Sequence, residues 1–173
     1  MLSYEQFVKK YLGKPVDYDG VAGVKCVDLA DAYLYECYGI TGVWVKGARD
    51  LYNNFNIWPQ LTAQFTRVKN TRELVIRKGD IVVWGGGTWG HVAIGTGEGN
   101  IDWFMSLEEN TRGNHEPTHY EKHYFNGRGG ADACNPVLGV LRPKHLPEET
   151  IKVTYTIKKK YKSALDAYVK TLT

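Results

Sequence analysis

At Lys78-Gly79-Asp80-Ile81-Val82-Val83-Trp84 the chain changes its period. Before this stretch, apolar residues recur at helical spacing. After it they come in short β-branched and aromatic runs parted by glycines, the pattern of antiparallel strands. The predicted strands are 81–84, 91–94, 101–107 and 137–141. Between the first two, Trp84-Gly85-Gly86-Gly87-Thr88-Trp89-Gly90 reads as a hairpin connection, since it lacks the spacing and the Lys of a phosphate-binding loop.

Working back toward the N-terminus, Phe7, Tyr11 and Leu12 predict a short helix over 3–12, stopped by Gly13 and Pro15. Cys26, Leu29, Ala30, Tyr33, Leu34 and Cys37 recur at three and four with Gly39 beyond, which predicts an amphipathic helix that opens at Cys26. A further helix is expected over 48–55, with Trp44 and Trp58 as core anchors. Helices first and strands second define an α+β domain.

Working forward, 111–135 is polar and glycine-rich, and a loop of that length inside a compact domain is expected to border the site. After Pro143 and Pro147, residues 150–157 alternate like a strand, and Tyr161, Leu165, Tyr168 and Leu172 share one helical face. The expected division is a catalytic domain over 1–143 and a basic appendage, or the start of a linker or second module, over 144–173.

The composition of the 173 residues, 43% hydrophobic and 24% charged with six prolines, is that of a globular protein and excludes disorder or a coiled coil. The net charge of +3 sits in the tail, where 144–173 hold seven Lys/Arg against three Asp/Glu. A near-neutral body without a phosphate-binding stripe gives no reason to expect nucleic acid as a partner. No apolar run is long enough to span a membrane, and the first residues, Met1-Leu2-Ser3-Tyr4-Glu5-Gln6-Phe7, lack the order of a secretory signal, so synthesis in a cytoplasm is expected. Three cysteines, Cys26, Cys37 and Cys134, are too few and odd in number for a disulfide framework, so at least one thiol is free or paired with another chain.

Cys26 is the thiol placed for chemistry. A thiol attacks as its thiolate, and unpaired backbone N–H groups at a helix start favour that anion. His91, opening a strand just after a glycine-rich turn, can project over the site as the general base. Glu108 and Asn110 stand two apart on one strand face and can orient the imidazole, while Glu109 is expected to face the other way.

Asp17-Tyr18-Asp19-Gly20, Lys25-Cys26-Val27-Asp28-Leu29, Gly79-Asp80-Ile81-Val82-Val83-Trp84, Gly90-His91-Val92-Ala93-Ile94, Glu108-Glu109-Asn110 and Asn135-Pro136-Val137-Leu138-Gly139 occur in the order typical of CHAP domains. Residues 3–143 thus resemble these cysteine, histidine-dependent amidohydrolases/peptidases, common in bacteriophage endolysins. The resemblance implies a papain-like fold, as in NlpC/P60 proteins, with N-terminal helices packed on an antiparallel sheet. It implies Cys26 as nucleophile, His91 as base, and Glu108 with Asn110 as polar partners of the imidazole. The family usually has Gln where Glu109 stands; with Glu109 facing away, this departure is expected to alter surface charge more than chemistry.

The implied reaction is acyl transfer on an amide of bacterial peptidoglycan, as an N-acetylmuramoyl-L-alanine amidase or an endopeptidase, by a monomer with Trp89 and Trp103 lining the substrate channel. A phage lysin of this kind would reach the wall after the membrane is breached by another protein. Asp17, Asp19, Val21, Gly23 and Asp28 hold the first, third, fifth, seventh and twelfth positions of a twelve-residue window, the spacing of an EF-hand loop. Ala22 stands where that loop has glycine, and Asp28 replaces its bidentate Glu. Calcium-binding CHAP domains resemble this sequence at the same places, so a structural Ca²⁺ is expected. Two competing readings are a zinc hydrolase built on His115, His119 and His123, against which Pro117 argues, and a non-catalytic wall-binding module using Lys158-Lys159-Lys160 and Lys162.

Overall fold

A computed structural model describes residues 1–125 and 136–148. Helix α1 (Tyr4–Tyr11) opens on a reciprocal cap, in which Ser3 Oγ accepts the Gln6 N–H at 3.2 Å and Gln6 Oε1 accepts the Ser3 N–H at 3.0 Å. It packs on α2 (Cys26–Tyr38) through Phe7, whose ring lies 5.0 Å from that of Tyr33. Gly39 ends α2 at φ 67°, a left-handed cap that a side chain would strain. The helix expected over 48–55 is divided into α3 (Arg49–Asn53) and a 3-10 turn (Phe55–Ile57), and α4 (Pro59–Gln64) follows with Pro59 at its first position.

Six strands, β1 (Phe65–Lys69), β2 (Ile81–Trp84), β3 (His91–Gly99), β4 (Trp103–Glu108), β5 (His119–Tyr124) and β6 (Val137–Pro143), form one antiparallel sheet in the order β1-β6-β2-β3-β4-β5. The expected α+β architecture is observed. Alternation along β2 explains why the sheet is buried on both sides. Ile81 and Val83 join Leu29, Tyr33, Leu34, Val92 and Ile94 in a core under the helices. Val82 and Trp84 face the opposite way, into a second core with Leu74, Ile76, Phe104 and Val140. Burial of each such side chain stabilises the fold by about 1.5–3 kcal/mol. Asp80, at the entrance to β2, is fully buried and clasped by Arg142 of β6 through bonds of 2.9 and 2.7 Å, which pins the middle of the sheet.

Several elements differ from the sequence expectation. β3 runs on past Ile94 through a glycine-rich tract, because Gly95 leaves the space that the Ile76 side chain occupies; a Cβ there would lie 2.4 Å from Ile76 Cγ2. β5 lies inside the segment expected to be a loop. Trp58 is buried as expected, but Trp44 is 81% exposed. Val43 takes the inward place of that extended segment and turns Trp44 out to line a groove with Tyr18, Val27 and Asp31. Cys134, the strand expected at 150–157, the helical face from Tyr161 to Leu172 and the lysines at 158–162 lie outside the described residues.

Candidate active site

Cys26 is the first residue of α2, as expected, and is half-buried. Asp28, two residues on, reaches back so that its Oδ2 accepts the Lys25 N–H at 2.8 Å, while its Oδ1 accepts the Tyr18 N–H at 3.2 Å. These bonds fix the helix start and the loop that precedes it. Cys37 lies on the same helix but is fully buried, and burial pushes its thiol up to about 12. Of the two described thiols, Cys26 is the one exposed to a substrate.

His91 enters β3 directly after Gly90, whose φ is 76° and whose missing side chain matters: a Cβ would lie 2.4 Å from the Trp84 carbonyl oxygen and 2.9 Å from the Arg49 nitrogen. The turn can therefore close tightly and deliver the imidazole beside Trp84, ring centroids 5.2 Å apart. His91 Nε2 donates to Glu108 Oε2 at 3.0 Å, which leaves Nδ1 for the thiol. Burial disfavours the charged ring, yet hydrogen bonding to Cys26 and to Glu108 outweighs it and holds the imidazole well above its usual range.

Glu108, the last residue of β4, is fully buried. Its Oε2 also accepts from Thr111 Oγ1 at 2.8 Å, and its Oε1 accepts from Ser106 Oγ at 2.5 Å and from His123 Nε2. Desolvation alone would raise this carboxyl; the bonds from His123 and His91 instead hold it well below the ordinary carboxylate range. The result is a line of thiol, imidazole and carboxylate, suited to nucleophilic acyl transfer.

Of the two residues expected to orient the imidazole, Glu108 bonds the His91 ring and Asn110 bonds elsewhere. Asn110 takes a φ of 53°, and its Oδ1 accepts the His115 N–H at 2.9 Å. β4 ends at Glu108, so strand alternation no longer governs the next two residues. Glu109 accordingly is not on the surface. It is fully buried with Oε1 accepting the Val16 N–H, and burial, aided by the charges of Asp28 and Asp17, pushes its carboxyl up to about 8.

Trp89 is exposed in the turn two residues before His91. Trp103 opens β4 at the end opposite Glu108, with Lys122 Nζ 3.9 Å over its ring, so it does not line the site as expected. Trp44 and Tyr18 instead line a groove of about 220 Å³ that also meets Val27 and Asp31 on α2, the helix that opens at Cys26. Tryptophan usually belongs to the core, and Trp44 departs from that rule.

The three histidines of the zinc reading do not converge among the described residues. His115 Nδ1 meets the Val24 carbonyl, His119 Nδ1 meets the Pro117 carbonyl, and His123 is buried on Glu108. Asp17, Asp19 and Asp28 do converge, each offering a carboxylate oxygen within 4.8 Å of the others. Ala22, at the position where an EF-hand loop has glycine, adopts φ 61°, so the backbone makes the left-handed turn even with alanine. Three hard oxygen donors around one turn suit a divalent cation of the calcium type, although two of them are exposed.

Residues 16–110 match the CHAP domain family. The chain is 30% identical over 166 residues to the endolysin PlyTW of Staphylococcus phage Twort, covering 90% of this chain and 32% of that protein. It thus spans about a third of the length of that relative. Its fold is similar to the crystal structure of the wild-type endolysin LysIME-EF1, with a TM-score of 0.62 at 28% identity, covering 86% of this chain and 66% of that one. The chain belongs to the CHAP domain family, with an α+β papain-like fold.

Proposed function

We propose that this CHAP domain is a peptidoglycan hydrolase that cleaves an amide bond by a cysteine mechanism. The observation that carries the reading is the line Cys26–His91–Glu108 at the start of α2. The kinship with two endolysins supports the wall as substrate. The Cys26 sulfur attacks the amide carbonyl while the N–H groups of the first turn of α2 face the developing oxyanion. His91 gives its proton to the leaving nitrogen as the C–N bond breaks, and an acyl-thioester remains. Water then attacks that thioester and passes a proton to His91, the C–S bond breaks, and the acid is released. Glu108 keeps the imidazole oriented through both steps.

The groove of Tyr18, Val27, Asp31 and Trp44 offers one arm of the substrate a place beside the nucleophile, and Trp89 lies on the His91 side. The scissile bond is either the muramoyl–L-alanine amide or an amide of the stem peptide or cross-bridge. Mass spectrometry of fragments released from purified peptidoglycan distinguishes them: an amidase separates intact stem peptides from glycan, and an endopeptidase leaves glycan-linked peptide. No released fragment of either type would overturn the reading.

We also propose that the loop from Asp17 to Asp28 binds Ca²⁺ through the carboxylates of Asp17, Asp19 and Asp28, with the Val21 and Gly23 carbonyls completing the shell. The ion would supply structural cohesion and no Lewis-acid step. Asp28 belongs both to this set and to the first turn of α2, so binding would stiffen the approach to Cys26.

A further inference from the structure

Glu108 is served by a second imidazole that a Cys–His–Glu mechanism does not require. We infer that His123 is a positioning residue for the reaction, donating from Nε2 to Glu108 Oε1 so that Oε2 stays aimed at His91. The inference rests on the reading of Cys26 and His91 as the reacting pair.

Three observations carry it. An ionised carboxylate can only accept hydrogen bonds, so His123 must present Nε2–H to it. Both oxygens of Glu108 are then engaged on opposite sides, Oε1 by His123 and Ser106, Oε2 by His91 and Thr111, and the carboxylate cannot rotate without breaking bonds on each. The His123 ring is itself fixed: it is 2% exposed, stacks on Phe104 at 5.4 Å and 29°, and meets Trp84 at 5.0 Å. Trp84 also packs on His91, so one indole seats both imidazoles that flank the carboxylate.

The described charged neighbour of the His123 ring is Glu108 of β4, and beyond it lie His91 of β3 and Cys26 of α2; Trp84 of β2 and Phe104 of β4 offer uncharged rings. Removing the His123 donor leaves Oε1 with Ser106 alone. The carboxylate then takes up a proton at higher pH and turns more freely, and the imidazolium it now supports less well gives up its proton at lower pH. A residue that only fills the core would move neither property.

The test compares His123→Phe, which keeps a ring and removes the donor, with His123→Gln, which keeps an N–H near the same place. In His123→Phe, kcat on purified peptidoglycan should fall about a hundredfold with KM little changed. The His91 imidazolium, followed by ¹⁵N spectra of the ring, should lose its proton about one pH unit lower. His123→Gln should restore most of the rate and the wild-type titration of His91. The spectra need no wall substrate, so they judge His123 even if the protein cleaves another amide. A folded His123→Phe protein with wild-type kcat and wild-type His91 titration would overturn the inference. Should His123→Phe fail to fold, imidazole ¹⁵N spectra of the wild-type protein decide. A His123 Nε2 that keeps its proton from pH 5 to 8 supports the inference, and a bare Nε2 at pH 7 overturns it.

Discussion

His91 Nε2 and Glu108 Oε2 meet at 3.0 Å inside the protein, at the ends of neighbouring strands and beneath the helix that carries Cys26. Buried pairing of this kind does two things. It orients the imidazole, and it ties stability to pH.

Replacing Glu108 by Gln should lower the rate of wall hydrolysis at least a hundredfold while Cys26 stays in place, since the imidazole loses its anionic partner. The pH dependence of stability follows from the two shifts. Glu108 sits below its ordinary value of 4.5 in the fold, so its contribution is full above about 4.5 and is lost as pH falls through the folded value. His91 sits above 6.5, so its contribution is full below about 6.5 and is lost as pH rises through the folded value. The Tm difference between wild type and Glu108→Gln should therefore be greatest between pH 4.5 and 6.5. A difference that keeps growing to pH 9 would contradict the pairing.

Glu109→Gln should have the opposite effect. Burial raises the Glu109 carboxyl to about 8, so the wild-type fold loses stability as pH rises from 4.5 through 8, while the unfolded chain ionises freely. Glutamine can keep the bond from the Val16 N–H without that penalty. The variant should melt several degrees higher than wild type at pH 8 and close to it at pH 4.5, as read by circular dichroism.

Much of this was legible in the sequence, and the failures have common physical causes. The period of α2 and the β-branched run of β2 announce elements buried by local pattern, and both lie where expected. β1 and β5 are the two edges of the sheet. Their sequences, Phe65-Thr66-Arg67-Val68-Lys69 and His119-Tyr120-Glu121-Lys122-His123-Tyr124, carry little apolar alternation, because pairing with distant strands and not a greasy face makes them strands. Cys26, His91 and Glu108 could be read from motif order. Ser106, Thr111 and His123 could not, since the carboxylate they bond is gathered and buried only by the fold. Asn110 and Glu109 were assigned by strand alternation carried past the end of β4, where the backbone no longer obeys it.

Gly90→Ala tests whether the turn before His91 sets its position. The added Cβ has no room against the Trp84 carbonyl, and φ 76° disfavours alanine, so a destabilisation of about 1–3 kcal/mol is expected. Activity per folded molecule should fall about a hundredfold through displacement of the imidazole. Full activity would mean that the turn and the ring are independent.

Calcium removal should act on stability and rate together. EGTA should lower Tm and wall hydrolysis, Ca²⁺ should restore both, and Asp19→Ala should reproduce the chelated state and ignore added Ca²⁺. A calorimetric titration of chelated protein with no heat, and a Tm indifferent to EGTA, would remove the ion from the account.

The most direct test of the thiol mechanism is the release of new termini from purified peptidoglycan by Cys26→Ala, read by mass spectrometry beside wild type. The substitution removes one sulfur from a half-buried helix start, so Tm should stay within a few degrees. The account predicts a folded protein that releases no fragments above background; fragment release at the wild-type rate would contradict it.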